Sequence, residues 1–165
     1  MNSVWPAVQR LATVLDQPTM KSAHRARIAG RFVGNWKLVS LQMVVDGAAA
    51  PPDLFGLNPR GYLILTREGR MALIITGENR KGGMSDPERA QLHKSMFAVS
   101  GKYRIEGSDL LIAVDVSWNE AWNGTELKRH CRMEGDKLFV ETAPAPSPLF
   151  PGKTSVGKLV FEREK

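Results

Sequence analysis

Arg129 is the residue in this chain best placed to do chemistry. It lies in the run Thr125-Glu-Leu-Lys-Arg-His-Cys-Arg-Met133, where Thr125, Leu127, Arg129, Cys131 and Met133 share one face and Glu126, Lys128, His130 and Arg132 the other. If the more apolar face turns inward, the guanidinium goes with it, and an unpaired buried cation is costly. Two readings stay open on these residues alone. Arg129 anchors an anion or a carbonyl of a ligand in an apolar pocket, or it satisfies itself structurally by pairing with a carboxylate or snorkelling past the end of the element. Tyr103, Trp118 and Trp122 combine apolar bodies with hydrogen-bonding tips, which suits a cavity wall as well as a filled core. Tyr62 is a weaker candidate because the parity of its run is ambiguous.

Other chemistry finds little support. His24, His93 and His130 fall on three separate elements and the single cysteine, Cys131, has no partner at metal-ligand spacing, so no metal site is expected. Cys131 in its alternating run reads as a small buried residue rather than a nucleophile. There is no G-x-S-x-G, phosphate-binding glycine loop or dinucleotide fingerprint, and no cofactor is expected. Asp115 and Glu126 take outward parity and read as solvated.

The elements that would position Arg129 are short β-type runs separated by turn residues. Eight are predicted: Trp36–Val45, Gly61–Arg67, Arg70–Gly77, Phe97–Glu106, Asp109–Trp118, Thr125–Glu134, Lys137–Thr142 and Ser155–Glu162. Gly with charged neighbours at Arg67-Glu-Gly-Arg70, Glu106-Gly-Ser-Asp109 and Glu134-Gly-Asp136 marks tight hairpins, so the runs form an antiparallel meander. Eight such strands can close into a barrel, which removes exposed edges and leaves an interior that is filled or holds one small ligand. Alternation sends Phe97, Val99, Gly101, Tyr103 and Ile105 inward from the fourth strand, and Leu110, Ile112, Val114, Val116 and Trp118 from the fifth. Phe97, Tyr103, Ile112, Val114, Trp118, Trp122, Leu127 and Arg129 are therefore the candidate ligand-binding residues.

Two links are longer and a third is rigid. The loop from Asp46 to Arg60 is rich in Ala, Pro and Gly, and Asp86-Pro-Glu-Arg predicts an N-cap and a helix over Pro87–Met96, between strands three and four. Ala143 to Lys153 carries Pro144, Pro146, Pro148 and Pro151 and reads as a rigid crossing to the last strand.

The chain has 165 residues, ordinary globular composition and a formal net charge of +6. Residues 1–32 hold +4 of it, through Arg10, Lys21, Arg25, Arg27 and Arg31 against Asp16, which leaves the rest close to neutral. Val4, Val8, Leu11 and Leu15 recur at helical spacing, so residues 1–33 are read as a helical extension and residues 34–165 as the barrel. The extension is open to an acidic partner, to packing on the domain or to joining two chains as a homodimer. Nucleic acid and membrane partners are not expected, because the charge is modest and lacks interleaved aromatics beyond Trp5. A lone cysteine and the lack of a signal-like start at Met1 to Asp16 point to a cytoplasmic setting.

The run Gly34-Asn-Trp-Lys-Leu-Val-Ser40 resembles the opening of the lipocalin-like domain family of small bacterial and fungal proteins. The likeness continues through Gly61-Tyr-Leu-Ile64, Ser100-Gly-Lys-Tyr103, Trp122-Asn-Gly-Thr125 with Arg129, Gly135-Asp-Lys-Leu138 and Leu159-Val-Phe-Glu-Arg163. It implies an up-and-down barrel with Trp36 near the closed end, Arg163 packed over it, and the 87–96 helix as an insert able to act as a lid. Many similar proteins carry histidine where Ile112 and Ala113 stand here, so chemistry built on that histidine is not carried over. The expected function is binding of a small hydrophobic molecule with a polar or anionic group. The alternatives are a cofactor-independent isomerase or cyclase in which Tyr103 and Arg129 polarise or protonate a carbonyl, and an interaction module using the basic N-terminal arm.

Overall fold

The computed structural model describes residues 30–50 and 55–164. The expected helix and partner surface within residues 1–29 lie outside these. The strands are β1 (Gly34–Val45), β2 (Ala48–Ala49), β3 (Arg60–Leu65), β4 (Arg70–Thr76), β5 (Met96–Glu106), β6 (Asp109–Ser117), β7 (Glu126–Glu134), β8 (Lys137–Thr142), β9 (Ala145–Pro146) and β10 (Thr154–Arg163). Eight of them are long and antiparallel, in the order β1-β3-β4-β5-β6-β7-β8-β10, and β10 pairs back onto β1 to close the barrel. The two-residue strands β2 and β9 extend the sheet beside β1 and β10. The fold is the expected all-β, eight-stranded up-and-down barrel.

The hairpins close where glycine permits a left-handed turn: Gly69, Gly107 and Gly135 have φ of 83°, 62° and 57°. Inward parity follows the hydrophobic alternation on β3, β4, β5, β8 and β10, so Leu63, Leu65, Met71, Ile75, Val99, Leu138, Leu159 and Phe161 make one core.

Two bulges reset the parity where simple alternation fails. On β1 the register against β10 shifts between Leu38 and Ser40, so the inward set passes from Trp36 and Leu38 to Leu41 and Met43, and Val39 is left exposed. On β6 Gly101 opposes Val114 while Ser100 opposes Val116, so Asp115 is the extra residue. Val116, expected inside, is therefore turned out and 64% exposed. Thr125 also departs from the expected inward set: it precedes β7, is exposed, and its hydroxyl donates to the carbonyl of Trp122 at 2.7 Å.

The helix between β4 and β5, α1, spans Asp86–Lys94, two residues shorter at its C-terminus than expected. Its N-cap is Ser85 rather than Asp86, because Glu88 reaches back to accept from the Met84 and Ser85 backbone amides and the Ser85 hydroxyl at 2.8–3.0 Å. None of its residues is buried.

Candidate functional site

The two ends of the barrel are built differently. At the end formed by the start of β1 and the end of β10, Trp36 is fully buried, and its indole N–H donates to the Phe32 carbonyl at 2.8 Å. The Arg163 guanidinium lies 4.2 Å from the Trp36 ring centre and donates to the carbonyls of Val33 and Arg31 at 2.9 and 2.5 Å. A cation on an indole face with its N–H groups on carbonyls is electrostatically satisfied. This plug closes one end, with Arg163 over Trp36 as the family resemblance implied.

Towards the other end the interior opens into a cavity of about 130 Å³. Its walls are almost wholly apolar: Leu63, Met71, Leu73 and Ile75 from β3 and β4 face Val140, Leu159 and Phe161 from β8 and β10. The barrel is thus packed at one end and hollow at the other. An engineered cavity of about 150 Å³ holds a benzene molecule, so this space suits one small ring or a short chain.

Five of the eight sequence candidates line the cavity: Phe97, Ile112, Trp122, Leu127 and Arg129. Arg129 comes inward on β7 as alternation required. Its one hydrogen bond is to the neighbouring Lys128 carbonyl at 2.9 Å, and no carboxylate lies within ion-pair distance among the described residues. Burial pushes its pKa down to about 10, which leaves the side chain protonated at neutral pH. The guanidinium thus reaches an apolar cavity carrying its charge, with no carboxylate partner among the described residues.

Three candidates stand elsewhere. Tyr103 is at the opposite end of β5, where its hydroxyl donates to the Thr66 carbonyl in the β3–β4 turn at 2.8 Å. Burial raises its pKa, with Glu68 adding to the effect. That hydroxyl is committed to closing a hairpin. Val114 is buried in the core beside the β6 bulge, outside the cavity wall. Trp118 packs behind Phe97 at 5.4 Å and Trp122 at 6.2 Å, and His93 of α1 covers it at 4.8 Å. Its indole N–H is buried with no hydrogen-bond partner among the described residues. Phe97 also stacks on Phe55 at 5.0 Å, so an aromatic cluster stiffens the cavity wall where β5 begins. Tyr62 is 44% exposed on the outer face.

Sequence reasoning missed one side of the mouth. Ala143, Ala145, Pro146 and Pro148, in the segment expected only to cross to the last strand, line the cavity together with Thr142 and Ser155. Within the segment the buried Ser147 hydroxyl accepts from the Leu149 and Phe150 amides at 3.2 and 3.1 Å while the Ser147 amide donates to the Lys153 carbonyl. The signal was present in the sequence: residues 143–152 contain no charge. Helix α1 contributes no side chain to the cavity wall.

Asp115 and Glu126 face outward, where they pair with Arg70 at 2.5 Å and Arg104 at 2.6 Å. His130 bridges to Asp109 on the surface. Cys131 is buried, and its thiol pKa is pushed up to about 12, mainly by desolvation. The shift favours the neutral thiol over the thiolate at neutral pH. Among the described residues no helix is long and apolar enough to cross a membrane.

A closed eight-stranded barrel with one plugged end and one apolar hollow defines a lipocalin-like protein. The model of the lipocalin-like domain matches residues 33–164, and the chain belongs to that family. No curated protein matches the chain. A crystal structure of an uncharacterized protein from Bacteroides eggerthii DSM 20697 is similar at 16% identity and a TM-score of 0.39, covering 80% of this chain and 98% of that one.

Proposed function

We propose that the protein binds one small hydrophobic molecule with a polar or anionic group inside the barrel. The observation that carries this reading is Arg129, a guanidinium facing an apolar cavity with no carboxylate partner among the described residues. Burial of apolar surface supplies the affinity and a charge-assisted hydrogen bond to Arg129 the orientation. The isomerase or cyclase alternative draws less support, because Tyr103, its candidate proton donor, is bonded to Thr66 outside the cavity wall.

Titration with toluene, a neutral one-ring probe, tests the cavity by methyl nuclear magnetic resonance. Shifts are expected at Leu63, Leu73, Ile112 and Leu127, which line the space, and not at Ile64 and Ile74 on the outer face. Unchanged resonances at saturating toluene would overturn the reading.

A further inference from the structure

We propose that Arg129, Thr142 and Ser155 form a carboxylate seat, and that the molecule held in the barrel is a monocarboxylic acid whose apolar body is about the size of one small ring. The inference rests on the cavity being a binding site and names the ligand class and two further binding residues.

The polar groups of the cavity are gathered on one wall. Arg129 on β7 and Thr142 on β8 are direct cross-strand partners with inward side chains, a relation that sets Cβ atoms about 5 Å apart. Thr142 Oγ1 in turn accepts from the Gly157 amide on β10 at 2.8 Å, and Ser155 lies two residues before Gly157 on the same face. The Gly157 bond occupies a lone pair of the Thr142 oxygen and leaves its hydroxyl proton free to donate. Ser155 is 8% exposed, lines the cavity, and its hydroxyl has no hydrogen-bond partner among the described residues. Across the cavity, β3, β4, β5 and β6 present only apolar side chains.

This division fixes both the orientation and the charge of the guest. Its polar end lies against β7, β8 and β10, beneath the proline segment, and its body against the β3–β6 wall. Among the described residues Arg129 is the one charged residue lining the cavity. One cation flanked by two neutral hydroxyl donors balances one negative charge. A neutral carbonyl would leave the guanidinium uncompensated, and a dianionic phosphate would bring an unbalanced charge into apolar surroundings. A carboxylate supplies two coplanar oxygens, which match the guanidinium fork and still accept from a hydroxyl.

Calorimetric titration of the full chain with benzoate, benzamide, phenylphosphonate and toluene tests the seat. Benzoate is expected to bind at least about tenfold more tightly than benzamide or phenylphosphonate. Arg129→Met should abolish that preference while toluene still binds. Thr142→Val and Ser155→Ala should each weaken benzoate by about tenfold and leave toluene unchanged, and Thr142→Ser should restore benzoate binding. Benzamide or phenylphosphonate binding as tightly as benzoate overturns the seat, as does benzoate affinity that is indifferent to Thr142→Val and Ser155→Ala. Either result leaves the cavity reading standing if toluene binds. Failure of toluene to bind the wild type overturns that reading itself.

Discussion

Arg163 and Arg129 both bring a guanidinium towards the interior of the same barrel, from opposite ends and to opposite effect. Arg163 covers the Trp36 ring and donates to two backbone carbonyls, so its charge is compensated within the fold. Arg129 faces an apolar cavity and has one carbonyl, that of its own neighbour Lys128. The first arginine belongs to a finished structure. The second has only that carbonyl among the described residues, and under the proposed function this difference separates a plug from a binding site.

The comparison predicts effects of different size and sign. Trp36→Ala should have the largest, a loss of about 3–5 kcal/mol in urea unfolding, because a fully buried indole leaves a void at the plug. A loss below about 1 kcal/mol would mean that the plug is not what holds the closed end together. Arg163→Met should destabilise by about 1–3 kcal/mol through the lost stacking and carbonyl bonds. Arg129→Met should act in the other direction and stabilise the empty protein by about 1–2 kcal/mol, since an uncompensated cation is replaced by an apolar chain of similar length. Equal destabilisation by the two arginine variants would erase the distinction and make Arg129 a structural residue.

Smaller effects sharpen the contrast. Burial lowers the Arg129 pKa from its ordinary value to about 10, so in the window from about pH 10 up to that ordinary value the unfolded chain holds more protons than the folded one. Stability contributed at this site therefore rises with pH across that window. The gap in urea midpoint between Arg129→Met and wild type should narrow from about pH 9 to about pH 11. Ser85→Ala, which removes the α1 cap, should cost about 0.5–1 kcal/mol and leave toluene binding intact, because α1 contributes nothing to the cavity wall. A large loss of toluene affinity there would restore the helix as a lid.

The inward placement of Arg129, Leu127 and Phe97 was legible because the period-two pattern runs unbroken through β7 and through β5 as far as Gly101. It failed for Val116, where a bulge inserts one residue and reverses the face, and a second bulge does the same on β1 at Val39. A bulge is defined by the partner strand, so one strand read alone does not reveal it. Tyr103 was assigned the correct face at the wrong depth: alternation says which side of the sheet a residue takes, not which end of a sheared barrel it reaches. The proposed seat was half legible. Arg129 drew attention as a charge among apolar neighbours, whereas Thr142 and Ser155 are ordinary polar residues near strand ends.

The sequence by itself determined the strands, their meander order and the closure, because hydrophobic alternation and glycine turns are local signals and consecutive hairpins have few ways to pair. It also determined that a guanidinium would be carried inward on β7. Only the tertiary structure decided that Arg163 would find two backbone carbonyls and Arg129, among the described residues, only that of its neighbour Lys128, that the interior would be full at one end and hollow at the other, and that a proline segment would line the cavity. These depend on strand tilt, two bulges and contacts between residues such as Arg31 and Arg163, separated by 132 positions. No local pattern encodes distances of that kind.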